Sequence, residues 1–252
     1  MQHQGRHALV TGGGTGIGLA IAKALAAEGA EVTITGRRAE VLDEAAAGNA
    51  RLHPLPLDVA DEAGLRAGIA AAAEARGPIS ICIANAGIAE FSDFPRLTLD
   101  DWRRTMAINL DGVFLTIQAS LATLAPDAWG RVIAVSSIAG LRGLKSAVPY
   151  TASKHGVVGL IRALSELYLG GPVTFNALCP GYVDTPIVEN QLAPLARRFG
   201  TDEDGAREII AKNNRHRRLL EVDEVAGAAL WLCSDAARSV NGQTIEIFGG
   251  QV

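Results

Sequence analysis

A short strand-like run, His7-Ala-Leu-Val-Thr11, leads into the glycine-rich stretch TGGGTGIG (Thr11–Gly18) and on into Leu19–Glu28, whose Leu, Ile and Ala recur at helical spacing until Gly29. Strand, glycine turn and helix in that order leave few folds open. The turn aims backbone N–H groups and the positive end of a helix at one point, which is how a pyrophosphate is bound. Gly12 and Gly16 permit the tight turn and close approach, and Gly18 permits the helix to lie close on the strand. The spacing, T-G-x-x-x-G-x-G, differs from the commoner G-x-G-x-x-G.

The same alternation continues along the chain. Further strands are expected over Glu31–Thr35, Arg51–Pro56, Ser80–Ala84, Arg131–Ser137, Val173–Cys179 and Gln243–Phe248. Between them lie helical stretches: Asp61–Arg76, ended by Gly77-Pro78; a helix capped by Thr98 with Asp100 and Asp101 in its first turn; one from Val148 to about Leu169; and Val222–Cys233. Alternating strands and helices imply an α/β fold with a doubly wound, Rossmann-type parallel sheet and helices on both faces. The expected strand order is 3-2-1-4-5-6-7. No linker, repeat or low-complexity tract divides residues 1–252, so a single domain is expected. Ile187 to Leu220 has a weaker pattern and clustered arginines (Arg197, Arg198, Arg215, Arg217, Arg218). It follows a strand end, where such sheets bind ligands, and is a candidate lid over residues 187–220.

Tyr150 and Lys154 stand four residues apart on the helix expected from Val148, and so leave one face a turn apart. A phenol is a poor acid-base catalyst near neutrality, and an ammonium beside it favours the phenolate. Ser137 precedes them at the end of an apolar run. Strand, hydroxyl, loop and helix with Tyr and Lys suit proton transfer at a carbonyl or alcohol oxygen. Asn109 interrupts an apolar face (MAINLDGVFL), where a buried amide must find partners. After the second strand, where an acid would hold the ribose of NAD, stand Arg37 and Arg38. A guanidinium fork matches a phosphate, which favours NADP(H), with NAD(H) as the alternative. Arg38 fits a solvated helix start better than Arg37 does.

The chain has 252 residues with 23 Lys and Arg against 27 Asp and Glu, a formal net charge of −4, so no basic field points to nucleic acid or an anionic membrane. No apolar run approaches the ~20 residues of a membrane helix, and the N-terminus lacks a signal-peptide pattern, so the cytoplasm is expected. Cys82, Cys179 and Cys233 are scattered in apolar runs and the five His show no ligand spacing; no disulfide and no metal are expected.

Taken together, TGGGTGIG, Asn85-Ala86-Gly87, Asn109, Ser137, YTASK (Tyr150–Lys154) and PGYVDT (Pro180–Thr185) resemble the short-chain dehydrogenase/reductase family along essentially the whole chain. The resemblance implies a ketone/secondary alcohol oxidoreductase with a small-molecule substrate. Tyr150 would be the acid-base, Ser137 would orient the carbonyl oxygen, and Lys154 would hold the nicotinamide ribose and lower the Tyr150 pKa. Asn109 would anchor a water that feeds protons through Lys154. The implied cofactor contacts are Gly12, Thr15, Gly16, Ile17 and Gly18 at the phosphates; Arg37 at the 2′-phosphate; Asp58 and Val59 at the adenine; Asn85, Ala86 and Gly87 beyond; and Pro180, Gly181, Val183 and Thr185 at the nicotinamide end. A homotetramer is the family's usual assembly. Ala84 replaces the family's frequent first Asn, and Thr15 stands where NADP-specific members often carry a basic residue. A cofactor-sensing protein without turnover, on the same fold, would be expected to lack the Tyr or Lys, and both are present. A thioester substrate, 3-oxoacyl or 3-hydroxyacyl on coenzyme A or acyl carrier protein, would be an anion for the lid arginines to grip.

Overall fold

The computed structural model describes residues 1–251. Seven parallel strands form one sheet in the order β3-β2-β1-β4-β5-β6-β7, as the alternation predicts. They are β1 His7–Thr11, β2 Glu31–Gly36, β3 Leu52–Pro56, β4 Ile79–Ala84, β5 Gly130–Val135, β6 Val173–Pro180 and β7 Thr244–Ile247. The helices between them are α1 Gly16–Ala27, α2 Ala39–Ala46, α3 Glu62–Arg76, α4 Leu99–Met106, α5 Gly112–Leu121, α6 Val148–Leu167, α7 Pro186–Phe199, α8 Glu203–Ala211 and α9 Val222–Cys233.

Successive residues of a strand face opposite sides of a sheet, and here that period of two sorts the core into two layers. Val10, Ile83, Ile133 and Leu178 pack with Ile21, Leu25 and Leu232 on the α1/α9 side. Their strand neighbours Leu9, Cys82, Val132 and Phe175 pack with Ile69, Ile117, Val157 and Ile161 on the α3/α5/α6 side. Each fully buried Leu, Ile or Phe contributes about 1.5–3 kcal/mol. Two layers of them fix which face each strand turns to which helix.

Most strand ends shift by a residue from expectation, and four differences bear on the helices and the loop around the crevice. Helix α1 begins at Gly16, because the glycine turn itself runs into the helix. Strand β5 stops at Val135, so Ser136 and Ser137 lie beyond the ladder rather than in it. Helix α6 ends at Leu167, two residues early. Residues 187–220 hold two helices, α7 and α8, packed on each other through Val188, Leu192, Ala196, Ala206 and Ile210. Their pattern is hard to read because α7 contains Pro194 and only one narrow stripe of each helix is buried.

Thr98 caps α4 as expected. Its hydroxyl accepts from Asp101 N–H at 3.1 Å, and the Asp101 carboxylate accepts from Thr98 N–H in return. The three cysteines are free and buried, and burial pushes the Cys82 and Cys233 thiols up to about 12. Among the described residues no helix is long and apolar enough to cross a membrane.

Candidate active site

The strand order reverses between β1 and β4, and the carboxyl ends of those strands open a crevice. There the two strands are stitched together. The Thr11 hydroxyl accepts from the Asn85 and Ala86 N–H groups at 3.0 and 3.1 Å, while Asn85 Nδ2 donates to the Thr11 and Gly12 carbonyls at 2.9 and 3.3 Å. Gly12 turns the chain at φ +64°, a backbone that other residues rarely adopt. A Cβ on Gly18 would overlap the Gly12 carbonyl oxygen, so the first turn of α1 can seat against the glycine loop only without one. This is a cradle for phosphate built from backbone.

Two cavities meet at this crevice. One is lined by Gly12, Gly14 and Thr15 from the glycine loop, Arg37 and Arg38 after β2, Asp58 and Val59 after β3, and Ala86 and Gly87. Arg37 and Arg38 are exposed, and neither guanidinium has an ion pair or hydrogen-bond partner among the described residues. The other is lined by Ile17, Asn85, Gly87, Ser137, Tyr150 and Lys154, and by Pro180, Gly181, Val183 and Thr185 after β6. Gly87 and Ile88 line both. The cavities are the two halves of one groove. Gly16 and Gly18 line neither; Gly16 instead packs on Thr185, whose Cγ2 lies 3.2 Å from where its Cβ would be.

Ser137 continues beyond β5 in extended backbone, and its hydroxyl accepts from Ala139 N–H at 3.1 Å. Ser136 Oγ donates to the Lys154 carbonyl at 3.0 Å, pinning this loop to α6. Tyr150 and Lys154 share a face of α6, with Lys154 Nζ 5.7 Å from the centre of the phenol ring. Lys154 is buried, and Nζ donates to the Val135 carbonyl at 2.8 Å. Asn109 lies in a π-helical turn, Ala107–Asp111, between α4 and α5, a feature frequent at functional sites. It is fully buried behind the cavities and lines neither. A Cβ on Gly87 would stand 3.2 Å from Asn109 Oδ1 and 3.5 Å from Lys154 Nζ, which locates both side chains beside the junction of the groove.

Burial sets the electrostatics. Desolvation pulls Lys154 down to about 8. It also pushes the Tyr150 phenol above its ordinary value, and the hydrogen bond from Ser137 offsets only part of that. Of the neighbours acting on the Tyr150 phenol, Ser137 lowers it, while Tyr182 and Cys179 raise it in the same direction as burial. The ammonium is itself desolvated and is committed to the Val135 carbonyl.

Several contributors had no local sequence signal. Tyr182, Ile187, Val188 and Gln191 line the catalytic cavity from the segment after β6 and from α7. Asn214, 1% exposed, accepts from Tyr182 N–H at 2.9 Å through Oδ1 and donates to the Tyr182 carbonyl at 2.8 Å through Nδ2, clamping the turn after β6. The arginines of residues 187–220 do not line the cavity. Arg218 pairs with Glu224 at 2.6 Å, and Arg215 stacks near Phe248. Arg197 and Arg198 lie exposed in the last turn of α7.

A doubly wound sheet with a backbone phosphate cradle, opening into a pocket that holds Ser, Tyr and Lys, defines a nicotinamide-dependent oxidoreductase. The short chain dehydrogenase family model matches residues 6–195, and the chain belongs to that family. It is 34% identical to the D-beta-hydroxybutyrate dehydrogenase of Rhizobium meliloti (strain 1021), over 96% of this chain and 97% of the relative. Among solved structures it is similar to levodione reductase, with a TM-score of 0.91, 34% identity and 98% of each chain covered. It is also similar to a variant of actinorhodin polyketide ketoreductase with NADPH, with a TM-score of 0.93, 30% identity, and 99% of this chain and 98% of that one covered. The protein is an NAD(P)(H)-dependent oxidoreductase that interconverts a ketone and a secondary alcohol.

Proposed function

We propose that this enzyme works with NADP(H) and uses Tyr150 as its acid-base group. The observation that carries the reading is the shared groove: Ser137, Tyr150 and Lys154 line one end, the glycine loop lines the other, and Gly87 belongs to both. The glycine loop and the N-terminus of α1 fit a pyrophosphate, and the unpaired Arg37 and Arg38 fit a phosphate on the adenosine ribose. Asp58 and Val59 would flank the adenine, and Pro180, Gly181, Val183 and Thr185 would border the nicotinamide end. Bound there, the dinucleotide supplies or accepts the hydride.

The chain's own work is orientation and proton transfer. Ser137 Oγ, facing the same cavity as Tyr150, hydrogen-bonds the carbonyl oxygen of the ketone and holds it toward the phenol. Tyr150 Oη donates its proton to that oxygen in reduction and takes it back in oxidation. At neutral pH the phenol is protonated, the form that gives a proton in reduction. Lys154 Nζ, beside Gly87, is placed to hold a ribose hydroxyl and, once a hydroxyl bridges it to Tyr150, to favour the phenolate. Asn109 fixes the segment at Ile88 behind Lys154 and is our candidate to anchor a proton-carrying water. Helices α7 and α8, within residues 187–220 of one domain, act as the lid. We expect a homotetramer, in keeping with the apolar side chains of Phe114, Leu167 and Trp231 exposed on the protomer.

The test is Tyr150→Phe. It should lose ketone reduction by about 10²-fold or more while NADPH still quenches tryptophan fluorescence as in the wild type. Turnover close to the wild type would overturn the assignment.

A further inference from the structure

We infer that the ketone taken by this site is uncharged and apolar around its carbonyl, and that a carboxylate on the substrate is discriminated against. The inference rests on the oxidoreductase reading above and concerns what the catalytic cavity will admit. Beyond the reacting groups, its walls are Ile88, Ala89, Phe91, Leu144, Ile187 and Val188. Among the described residues, Lys154 is the only charged side chain that lines it, and no Asp, Glu, Arg or His does. Lys154 cannot serve a distal carboxylate, because its amine donates to the Val135 carbonyl and lies against Gly87 at the far end of the cavity.

The cations nearest in sequence are engaged or turned away. Arg142, whose charge acts on the Tyr182 phenol, stacks over the Phe248 ring at 5.0 Å and does not itself line the cavity, and Lys145, next to Leu144, is exposed. Arg207 is held by Asp184 at 2.8 Å. Arg197 and Arg198 are six and seven residues past Gln191 on α7, which places them roughly 9–10 Å further along the axis. The polar groups left at the wall are neutral. They are the phenol of Tyr182, kept protonated by burial, the amide of Gln191, whose Nε2 already donates to the Ile187 carbonyl at 2.8 Å, and Asn85, Ser136 and Thr185, each of which donates to a backbone carbonyl. A carboxylate entering here would shed water and meet no counter-charge, the costly case for a buried ion. An apolar substituent meets a favourable surface instead. Phe91 and Ile187, 42% and 47% exposed, stand at this cavity with apolar area still uncovered.

The experiment compares ethyl acetoacetate with acetoacetate, which carry the same ketone with and without a charge, together with an uncharged cyclic ketone. Initial rates of NADPH consumption are measured with the wild type and with Gln191→Lys, which puts a cation of similar reach on the wall. The ester should exceed the acid in kcat/KM by about tenfold or more in the wild type. Gln191→Lys should narrow that ratio by about fivefold or more, and because the ratio is internal it is insensitive to partial unfolding. Acetoacetate reduced as well as its ester, or a ratio unmoved by Gln191→Lys, overturns the inference and leaves the oxidoreductase reading standing. If none of the three ketones is reduced although NADPH binds, the reductase reading fails and the inference with it.

Discussion

Asn109 holds Ile88 by both of its backbone polar groups: Oδ1 accepts from the Ile88 N–H at 2.8 Å, and Nδ2 donates to the Ile88 carbonyl at 2.9 Å. The π-helical turn carries the amide to the loop after β4, and Nδ2 also reaches Ser153 Oγ, one residue before Lys154, at 3.2 Å. One side chain therefore sets the loop at the middle of the groove relative to the helix that bears Tyr150 and Lys154. Asn109→Leu would leave both groups of Ile88 unpaired in a buried place, at about 1–3 kcal/mol each. We expect thermal unfolding several degrees lower, with weakened binding of the dinucleotide. Asn109→Asp keeps the acceptor for the Ile88 N–H and should lose less; equal losses in the two variants would refute the clamp.

Lys154 is 3% exposed, and burial holds its pKa at about 8, below the 10.5 of a free lysine. The unfolded chain therefore binds the proton more tightly. Folding carries the full penalty, roughly 3 kcal/mol, below pH 8 and sheds it as pH rises toward 10.5. Lys154→Met removes this titration and should abolish reduction. Its thermal stability relative to the wild type should be highest near pH 7 and decline toward pH 10. A difference in melting temperature that stays flat over that range would show the lysine to be solvated.

What was legible in the sequence, and what was not, follows from how far each constraint reaches along the chain. Periodicity within a run is local, so the strands, their order and the helix carrying Tyr150 and Lys154 could be read directly. The convergence of Ser137, Tyr150 and Lys154 followed from the rule that ligands bind at strand carboxyl ends. Asn214 could not be found this way, because its meaning lies in a contact with Tyr182, 32 residues earlier in the chain. Gly140 is the same kind of case: a Cβ there would press on the Lys154 carbonyl at 2.7 Å, across the junction of loop and helix. The arginines of residues 187–220 were legible as charge, but their pairing with Asp184 and Glu224 was not, since partner choice depends on the fold. Nor could spacing alone show that burial raises the Tyr150 phenol.

Arg37 and Arg38 both line the glycine-loop end of the groove, and neither guanidinium has a partner among the described residues. If they read a 2′-phosphate, NADPH should bind about tenfold or more tighter than NADH, and Arg37→Ala should erase most of that margin with little effect on NADH. Because both residues are exposed, the preference should also weaken with salt. Fluorescence titration at two ionic strengths checks all three points. NADH bound as tightly as NADPH by the wild type would make the two arginines solvent-facing residues with no role in cofactor choice.

Asn214 and Tyr182 repeat the relationship of Asn109 and Ile88 on the other side of the cavity. The turn after β6 carries Gly181, Tyr182 and Val183 into the pocket, while Asn214 follows α8. Nδ2 donates a second time, to the Arg218 carbonyl, and the Leu220 N–H donates to the Tyr182 carbonyl at 2.9 Å. The C-terminal end of residues 187–220 is thus tied by hydrogen bonds to the wall of the cavity. In Asn214→Ala the Tyr182 carbonyl keeps Leu220, but the Tyr182 N–H loses its acceptor, at about 1–3 kcal/mol. Melting should fall by several degrees, and limited proteolysis should cut residues 187–220 faster than in the wild type. The ketone KM should rise more than kcat falls, because this wall positions substrate and does not move the proton. A loss confined to kcat, with unchanged proteolysis, would place Asn214 in the chemistry and refute its role as a clamp.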